Sequence, residues 1–397
     1  MKKQFQLAAI LLSGLCSSIF AQNLSSIGML SEVEDFDSSL PFTTTISTVY
    51  GFDSNVGSRP KFVEDSSAYA KGRLSGAYST VRGKTHLGLN AGFATIYYLK
   101  RDNTTFNSAD GSLNFYHKIT PSMTFANKSY MSYSIEPDLQ IGVAVPRRLS
   151  HYYYGHNNSS LTYAYNRRLS SITRLGLSGI DYEDETSSIS NDKIKYDISQ
   201  EMRYVLNVVS DIVGEYRHVS ADYNIADYDY GAHYLLAGLN HSFNLMLRGT
   251  LMAGAQRRSF DNGFEDDWKP HLETSLRYNV TEKTQLSWIN RFGYEDGELA
   301  SNKAFTRTGF NSSVNLSYSF NDRLRSNFGM TYHSYEFERP ELIDLAEVMK
   351  TINLGINYRL YSNVDLNARY SYISMESDDL FRDFVRHRIS AGMNIKF

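Results

Sequence analysis

The sequence lacks most of what would support a disulfide framework, a membrane-spanning helix or a catalytic motif. Its only cysteine is Cys16, so the rest of the chain offers neither disulfides nor thiolate chemistry. It has no apolar run of about eighteen residues, which excludes a transmembrane helix. The formal charge of −3 gives no reason to expect a nucleic-acid partner. Phosphate-binding glycine loops, metal-binding helices and nucleophile elbows are absent, so we expect no cofactor.

Aromatic residues are abundant, whereas residues that break strands are few. The 397 residues include 30 Tyr and 22 Phe but only 7 Pro, and the mean hydropathy is −0.39. Tyr and Phe favour β-strands. A chain rich in these residues but polar on average is typical of a β-barrel with a lipid-facing exterior and a wet interior.

The N-terminus has the pattern of an export signal. Residues 1–21 combine a basic start, an apolar stretch and small residues before a predicted cleavage after Ala21. Lipidation at Cys16 is the alternative, but the three residues before it form a poor lipobox. We predict that residues 22–42 are a periplasmic lead-in, with entry into the lumen as the alternative, and that residues 43–397 form the barrel.

Two kinds of connector punctuate the rest of the chain at intervals of roughly 40 residues, which suits a repeated hairpin. The short connectors lie near residues 82–84, 120–122, 168–170, 207–208, 243–244, 281–283, 321–323 and 362–363. The longer ones lie near residues 55–66, 101–110, 138–150, 183–192, 225–229, 261–267, 295–303, 339–347 and 377–383. We therefore predict an all-β, antiparallel transmembrane barrel of about eighteen strands, with sixteen as the alternative. Short turns would face the periplasm and longer loops the exterior.

Strict alternation assigns the two faces of the strands. In Lys193–Asn207, charged residues such as Glu201 alternate with apolar ones such as Met202. A mid-bilayer Arg or Lys on the lipid side costs about 2–4 kcal/mol, so the charged face is predicted to be the lumen. Asn127 and Ser129 break this pattern, because they fall on a face that would otherwise face lipid. A soluble all-β protein is the alternative, but it would need a second buried layer.

Aromatic pairs recur near strand ends and are predicted to form two girdles at the membrane interfaces. They are Tyr97 with Tyr98, Tyr152 to Tyr154, Tyr228 with Tyr230, Phe292 with Tyr294, and Tyr332 with Tyr335.

Two stretches carry a family resemblance. Residues 385–397 alternate strictly and end on Phe397, which resembles the closing strand that the barrel assembly machinery reads in outer-membrane barrels. The early segment Tyr50-Gly51-Phe52-Asp53-Ser54-Asn55-Val56, followed by Tyr-rich hairpins, resembles the family named putative β-barrel porin type 2. The resemblance implies a barrel in the Gram-negative outer membrane, surrounded by lipid and lipopolysaccharide, with a pore of no established substrate.

A barrel of sixteen to eighteen strands leaves an aqueous channel, so we expect passive diffusion of small hydrophilic solutes or ions and no enzyme activity. The predicted pore-lining residues are Glu201, Arg203, Glu273, Arg277, Arg325, Arg359, Arg369 and Arg388. Their cationic excess predicts a weak anion preference. The alternative is that these charges pair across neighbouring strands and stiffen the wall.

Loop 138–150 is the predicted constriction, with Arg147 and Arg148 in the lumen, whereas a structural turn at Pro146 is the alternative. Other functions remain open at this point. A structural or polysaccharide-export barrel is one, and an outer-membrane hydrolase using scattered His residues is another. Association into a homo-trimer is an expected partner interaction, although lipid-facing Leu and Tyr would hide its contacts.

Overall fold

The computed structural model describes residues 42–100, 105–135, 151–183, 192–224, 229–261, 268–295, 307–337, 345–378 and 382–397. The predicted signal, most of the lead-in and the constriction loop with Arg147 and Arg148 lie outside these residues. The strands, numbered in chain order, are β1 Phe42–Asp53, β2 Ser67–Arg82, β3 Thr85–Tyr98, β4 Thr105–Thr120, β5 Met123–Ser134, β6 Tyr152–Ala164, β7 Leu169–Tyr182, β8 Lys193–Asn207, β9 Ser210–Tyr223, β10 Tyr230–Ser242, β11 Leu247–Phe260, β12 Lys269–Thr281, β13 Thr284–Glu295, β14 Arg307–Ser319, β15 Leu324–Phe337, β16 Leu345–Tyr361, β17 Val364–Ser377 and β18 Phe384–Lys396.

These eighteen strands form one closed antiparallel barrel. Each strand pairs with its neighbours in sequence, and β1 closes the ring by pairing with β18 as well as β2. At this seam, the backbone of Phe397 exchanges hydrogen bonds with that of Thr44. The predicted fold class and strand number are confirmed. Closure leaves no open sheet edge, which is what a sheet in hydrocarbon requires. Among the described residues, no helix is long and apolar enough to cross a membrane.

Three of the short turns share the sequence pattern aromatic-Asn-x-x-Leu, starting at Tyr165, Phe243 and Phe320. In each turn the Asn side chain accepts hydrogen bonds of 2.8–2.9 Å from two following backbone N–H groups. Each aromatic residue also bonds through its backbone N–H to the Leu carbonyl. Asn favours such turns because its side chain replaces a backbone acceptor. The turn between β2 and β3 instead uses Gly83 at φ 57°, a conformation that favours glycine.

The outer face is a belt of exposed apolar side chains. Register pairs Ile46 of β1 with Leu74 of β2 and Leu74 with Phe93 of β3, and all three are exposed. The same face continues to Ile356 and Ile389 near the seam. Because the period is two, each neighbouring residue points into the lumen.

A charge on this belt is expected to destabilise the barrel. Leu354 lies outward in β16 and is 46% exposed, whereas the next residue, Asn353, lies inward. Leu354→Arg should lower the free energy of unfolding by about 2–4 kcal/mol, because the guanidinium would face hydrocarbon. Urea-induced unfolding in phospholipid vesicles measures this change. Asn353→Arg is the matched control, and equal destabilisation by both would contradict the face assignment.

The predicted aromatic girdles are only half right. Tyr97 faces outward, but the adjacent Tyr98 is buried inside the barrel. Tyr152, Tyr230, Tyr294 and Tyr335 are likewise buried. Tyr228 lies outside the described residues. For the directly adjacent Tyr97 and Tyr98, the reason is alternation, which sends successive residues of one strand to opposite faces. A pair of adjacent aromatics therefore supplies one ring to the outer surface and one to the interior.

Candidate pore lining

A ladder of alternating charges crosses one side of the inner wall. Its members, in order of contact, are Arg203, Glu201, Arg174, Glu215, Arg217, Glu273 and His271. Each side chain comes from the inward face of β7, β8, β9 or β12.

In the first half of the ladder, Glu201 is shared by two arginines. Arg203 Nη2 lies 2.6 Å from Glu201 Oε1, and Arg174 donates to the other carboxylate oxygen. Arg174 also reaches past β8 to within 3.6 Å of Glu215 on β9. The pairs therefore join strands that are not neighbours as well as those that are.

The second half of the ladder joins two strands that are farther apart in the barrel wall. Arg217 of β9 donates to Glu215 at 2.9 Å and to Glu273 of β12 at 3.0 Å. Glu273 also pairs with His271 at 2.9 Å. Two strands, β10 and β11, lie between these partners. Their inward side chains form an apolar layer beneath the bridge, and the Arg217 guanidinium lies 5.2 Å from the ring centre of Tyr234.

This ladder is neutral overall, because three arginines face three glutamates. Its central members Arg174, Glu201, Glu215 and Arg217 are buried, whereas Arg203 and Glu273 at either side are partly exposed. Buried charges of this kind persist only when they are paired and hydrogen-bonded. The ladder therefore serves to stiffen and thicken this part of the wall.

The inward-facing charged residues that stay exposed in the described strands are all cations. They are Lys118, Arg248, Arg277, Arg325, Arg359 and Arg369. All lie in the half of the barrel next to the short turns. Arg248 and Arg277 are direct register partners, so two like charges face each other across neighbouring strands.

Exposure of the inner face changes along the barrel. On β15, Arg325 and Asn327 near the short turn are exposed, whereas Thr331 and Tyr335 nearer the long loop are buried. The inward side chains of β16 follow the same trend, from exposed Arg359 to fully covered Glu347 and Met349. If the short turns face the periplasm, the periplasmic half of the lumen is open to water.

The structure divides the predicted pore-lining residues into three groups. Glu201, Arg203 and Glu273 belong to the charge ladder. Arg388 is paired with Asp53 at 3.2 Å, and Arg359 approaches Asp365 at 3.5 Å. The remaining three, Arg277, Arg325 and Arg369, present exposed side chains on the inner face.

Several inner-face charges were not predicted from the sequence. Arg174 has a signal that could have revealed it, since it alternates with the outward Leu175. Arg73 of β2 pairs with Asp110 of β4 at 2.6 Å, passing over Gly92 of β3. A Cβ on Gly92 would lie 2.2 Å from the Arg73 guanidinium, so a larger residue there would have to displace the Arg73 side chain. Nothing in the sequence indicates which charges make such pairs.

The first long loop, residues 54–66, turns inward against the wall. Val56 packs on Tyr69, Ile96 and Tyr98, all of which face the lumen. Farther along the loop, Lys61 Nζ bonds to Asp383 at 2.8 Å. This hydrogen bond raises the pKa of Lys61 above its usual value, so its ammonium stays charged. The sequence predicted an inward loop at residues 138–150, which lie outside the described residues.

The outer face carries one polar cluster where β5 meets β6. Asn127 Nδ2 donates to Ser159 at 2.9 Å, and Asn157 Nδ2 donates to Ser129 at 2.7 Å. Register places all four among outward-facing neighbours such as Leu161. This explains the break in alternation seen in the sequence.

The closed barrel, with its apolar exterior and charged interior, defines a transmembrane β-barrel of the Gram-negative outer membrane. The family model described as "Putative beta-barrel porin 2" matches residues 231–397, which confirms the resemblance predicted from the sequence. No curated protein matches the sequence at a significant level.

Among solved structures, Pseudomonas aeruginosa OpdK with vanillate is 12% identical with a TM-score of 0.49, and the match covers 90% of this chain and 99% of that chain. Acinetobacter baumannii OccAB3 is 12% identical with a TM-score of 0.47, and the match covers 90% of this chain and 99% of that chain. Pseudomonas aeruginosa OccK2 (OpdF) is 14% identical with a TM-score of 0.48, and the match covers 90% of this chain and 98% of that chain.

Proposed function

We propose that the protein is an outer-membrane porin through which small hydrophilic solutes and ions diffuse passively. The observation that carries this proposal is the water-accessible, charged inner face in the half of the barrel next to the short turns. A barrel of this strand number is wide enough to leave a channel between its wall side chains. The family match over residues 231–397 supports the same function.

Solute entry into vesicles tests this proposal. Purified protein refolded into liposomes should let small sugars and amino acids enter, so that the liposomes swell at rates that fall with solute size. Liposomes with heat-denatured protein are the control. Folded protein that leaves the liposomes as tight as the control would contradict the proposal.

We further propose a weak preference for anions. The exposed cations of the inner face support it, because charges lining a pore attract ions of opposite sign. Several carboxylates of the inner face pair with other arginines, since Glu201, Glu215 and Glu273 belong to the ladder and Asp53 pairs with Arg386 and Arg388. Asp365 approaches one of these cations, Arg359, at 3.5 Å.

The surroundings of the barrel follow from its location in the outer membrane, where lipid and lipopolysaccharide contact the apolar belt. We propose that residues 1–21 direct export, that residues 22–42 precede the barrel in the periplasm, and that Phe397 is read by the barrel assembly machinery. Replacing Phe397 with Ala should then reduce the amount of folded barrel in the outer membrane. Unchanged levels would reject that role.

A homo-trimer is the proposed assembly, and the polar cluster of Asn127, Ser129, Asn157 and Ser159 supports it. These side chains bond to one another, but a polar patch is unfavourable against lipid, and an adjoining protein surface would remove it from lipid. Sedimentation in detergent measures the number of chains. A single chain per particle would reject the trimer.

A further inference from the structure

The segment Tyr50 to Val56, which carries the family resemblance, makes a set of contacts that the pore proposal does not use. Asp53 ends β1 and is completely buried. Arg386 Nε lies 3.0 Å from one carboxylate oxygen of Asp53, and Arg388 Nε lies 3.2 Å from the other. Both arginines belong to β18, the strand that closes the barrel.

The next two residues continue the attachment to β18. Ser54 and His387 bond to each other twice, because the Ser54 N–H donates to the His387 carbonyl at 2.9 Å and Ser54 Oγ accepts from the His387 N–H at 2.8 Å. Asn55 Nδ2 donates to the carbonyl of Val385 at 3.1 Å. Three successive side chains therefore bind the same strand.

Asn55 also shapes the loop that follows. Its side chain donates to the Arg59 carbonyl at 2.7 Å and accepts from the Arg59 N–H at 2.9 Å. This closes a tight turn over residues 55–59 and directs Val56 onto Tyr69 and Tyr98 inside the barrel. Ser58 Oγ then lies 3.4 Å from Arg386 Nη1, so the turn is held against the same arginine that binds Asp53.

A second attachment holds the far end of the loop. Lys61 donates through its backbone to the Asp383 carbonyl at 3.1 Å and through its ammonium to the Asp383 carboxylate at 2.8 Å. Nearby, Arg382 is paired with the buried Glu347 on the inner face of β16. The loop is thus tied to the wall on both sides of the seam.

We infer that Asp53, Ser54 and Asn55 are a latch that fixes loop 54–66 to β18, and that the latched loop is a constriction of the pore. This inference rests on the proposed porin function. Asp53 is the centre of the latch, since its carboxylate is what allows Arg386 and Arg388 to face the same side of one strand. Without that charge, the two guanidinium groups repel each other and release the turn.

Single-channel recording of Asp53→Asn tests the latch. The variant should conduct with about two-fold larger unitary steps than the wild type, because conductance follows the narrowest cross-section of a pore. Asp110→Asn is the matched control, since it removes an inner-wall carboxylate whose partner, Arg73, belongs to strand β2 of the wall. Its steps should stay those of the wild type. If Asp53→Asn does not fold, Asn55→Ala carries the test, because it removes the loop bonds without leaving a charge unpaired.

A cross-link separates the loop from other consequences of the mutation. The chain beyond Cys16 has no cysteine, so Lys61→Cys with Asp383→Cys can form one disulfide where the two backbones already touch. In the Asp53→Asn background, oxidation should restore wild-type conductance and reduction should abolish that rescue. Raised conductance that persists after oxidation would overturn the constriction role.

The remaining outcomes are distinguishable. If the wild type conducts and the folded Asp53→Asn or Asn55→Ala variant gives identical steps, the latch inference fails and the porin function stands. If the wild type is silent but Asp53→Asn conducts, the latched loop closes the pore, so the latch is supported and passive diffusion through the wild type is overturned. If all the folded proteins are silent, both the porin function and the inference are overturned.

Discussion

Replacing Arg217 with methionine should lower the free energy of unfolding of the barrel by about 3–5 kcal/mol, the cost of removing one partner from a buried ion pair. Methionine keeps most of the volume and the packing over Tyr234, so the loss reports the charge. Glu273 would keep His271 as its partner, but Glu215 would keep only Arg174 at 3.6 Å. Urea-induced unfolding in lipid vesicles, followed by the fluorescence of the two tryptophans, measures the change.

Arg359→Met is the control for this prediction. Arg359 is also an inward arginine with an acidic partner, but its side chain is 49% exposed and Asp365 lies 3.5 Å away. An exposed pair of this kind contributes about 0–1 kcal/mol. If Arg217→Met and Arg359→Met lower the free energy of unfolding equally, the ladder stabilises the barrel no more than exposed ion pairs do.

A double substitution tests whether the ladder acts as a unit. Adding Glu273→Gln to Arg217→Met removes the carboxylate that loses its arginine partner in the first substitution. The combined loss should therefore be smaller than the sum of the two single losses, by about 0.5–3 kcal/mol. Strict additivity would contradict a direct Arg217–Glu273 interaction.

Neutralising Arg277, Arg325, Arg359 and Arg369 together with glutamine should remove most of the anion preference of the pore. These side chains are four of the six exposed cations on the inner face, and Lys118 and Arg248 are the other two. An interaction of about 1 kcal/mol, the scale for two charges ~4 Å apart in water, corresponds to about a five-fold preference for anions over cations. The reversal potential in a salt gradient should move from the anion-selective side most of the way to zero.

The control is an equal loss of positive charge outside the lumen. Arg167, Arg168, Lys283 and Arg323 lie in the short turns, and their replacement with glutamine should leave most of the anion preference in place. Screening limits exposed charges to about 8 Å at physiological salt, so distant turns contribute little to the field in the channel. A reversal potential that the inner-face variant does not change would remove these arginines from the selectivity mechanism.

Much of the barrel could be predicted from sequence because a strand that separates lipid from water has to alternate. In Lys193–Asn207, the alternation of charged and apolar residues shows which side chains face lipid and which face the lumen. The structure places Tyr196, Ile198 and Met202 outward, as predicted. Turns were predictable for a similar local reason, as in the shared Asn at positions 166, 244 and 321. These features depend on residues a few positions apart.

The organisation of the lumen depends on contacts that are distant in sequence. Asp53 binds Arg386, which lies 333 residues later in the sequence. Arg217 donates a hydrogen bond to Glu273 across the two strands that lie between them. Alternation shows that each of these side chains points inward, but it does not show which charge meets which. For this reason Glu201, Arg203 and Glu273 could be placed on the inner face, whereas their pairing in a ladder could not be foreseen. The inward course of loop 54–66 has the same origin.

Single-channel recording of the wild-type protein in a planar bilayer tests the central claim most directly. The open, cation-lined half of the lumen predicts steady conductance steps and, in a salt gradient, a reversal potential of the sign that anion selectivity gives. Folded protein that inserts into the bilayer and passes no current would contradict the claim that this barrel is a pore.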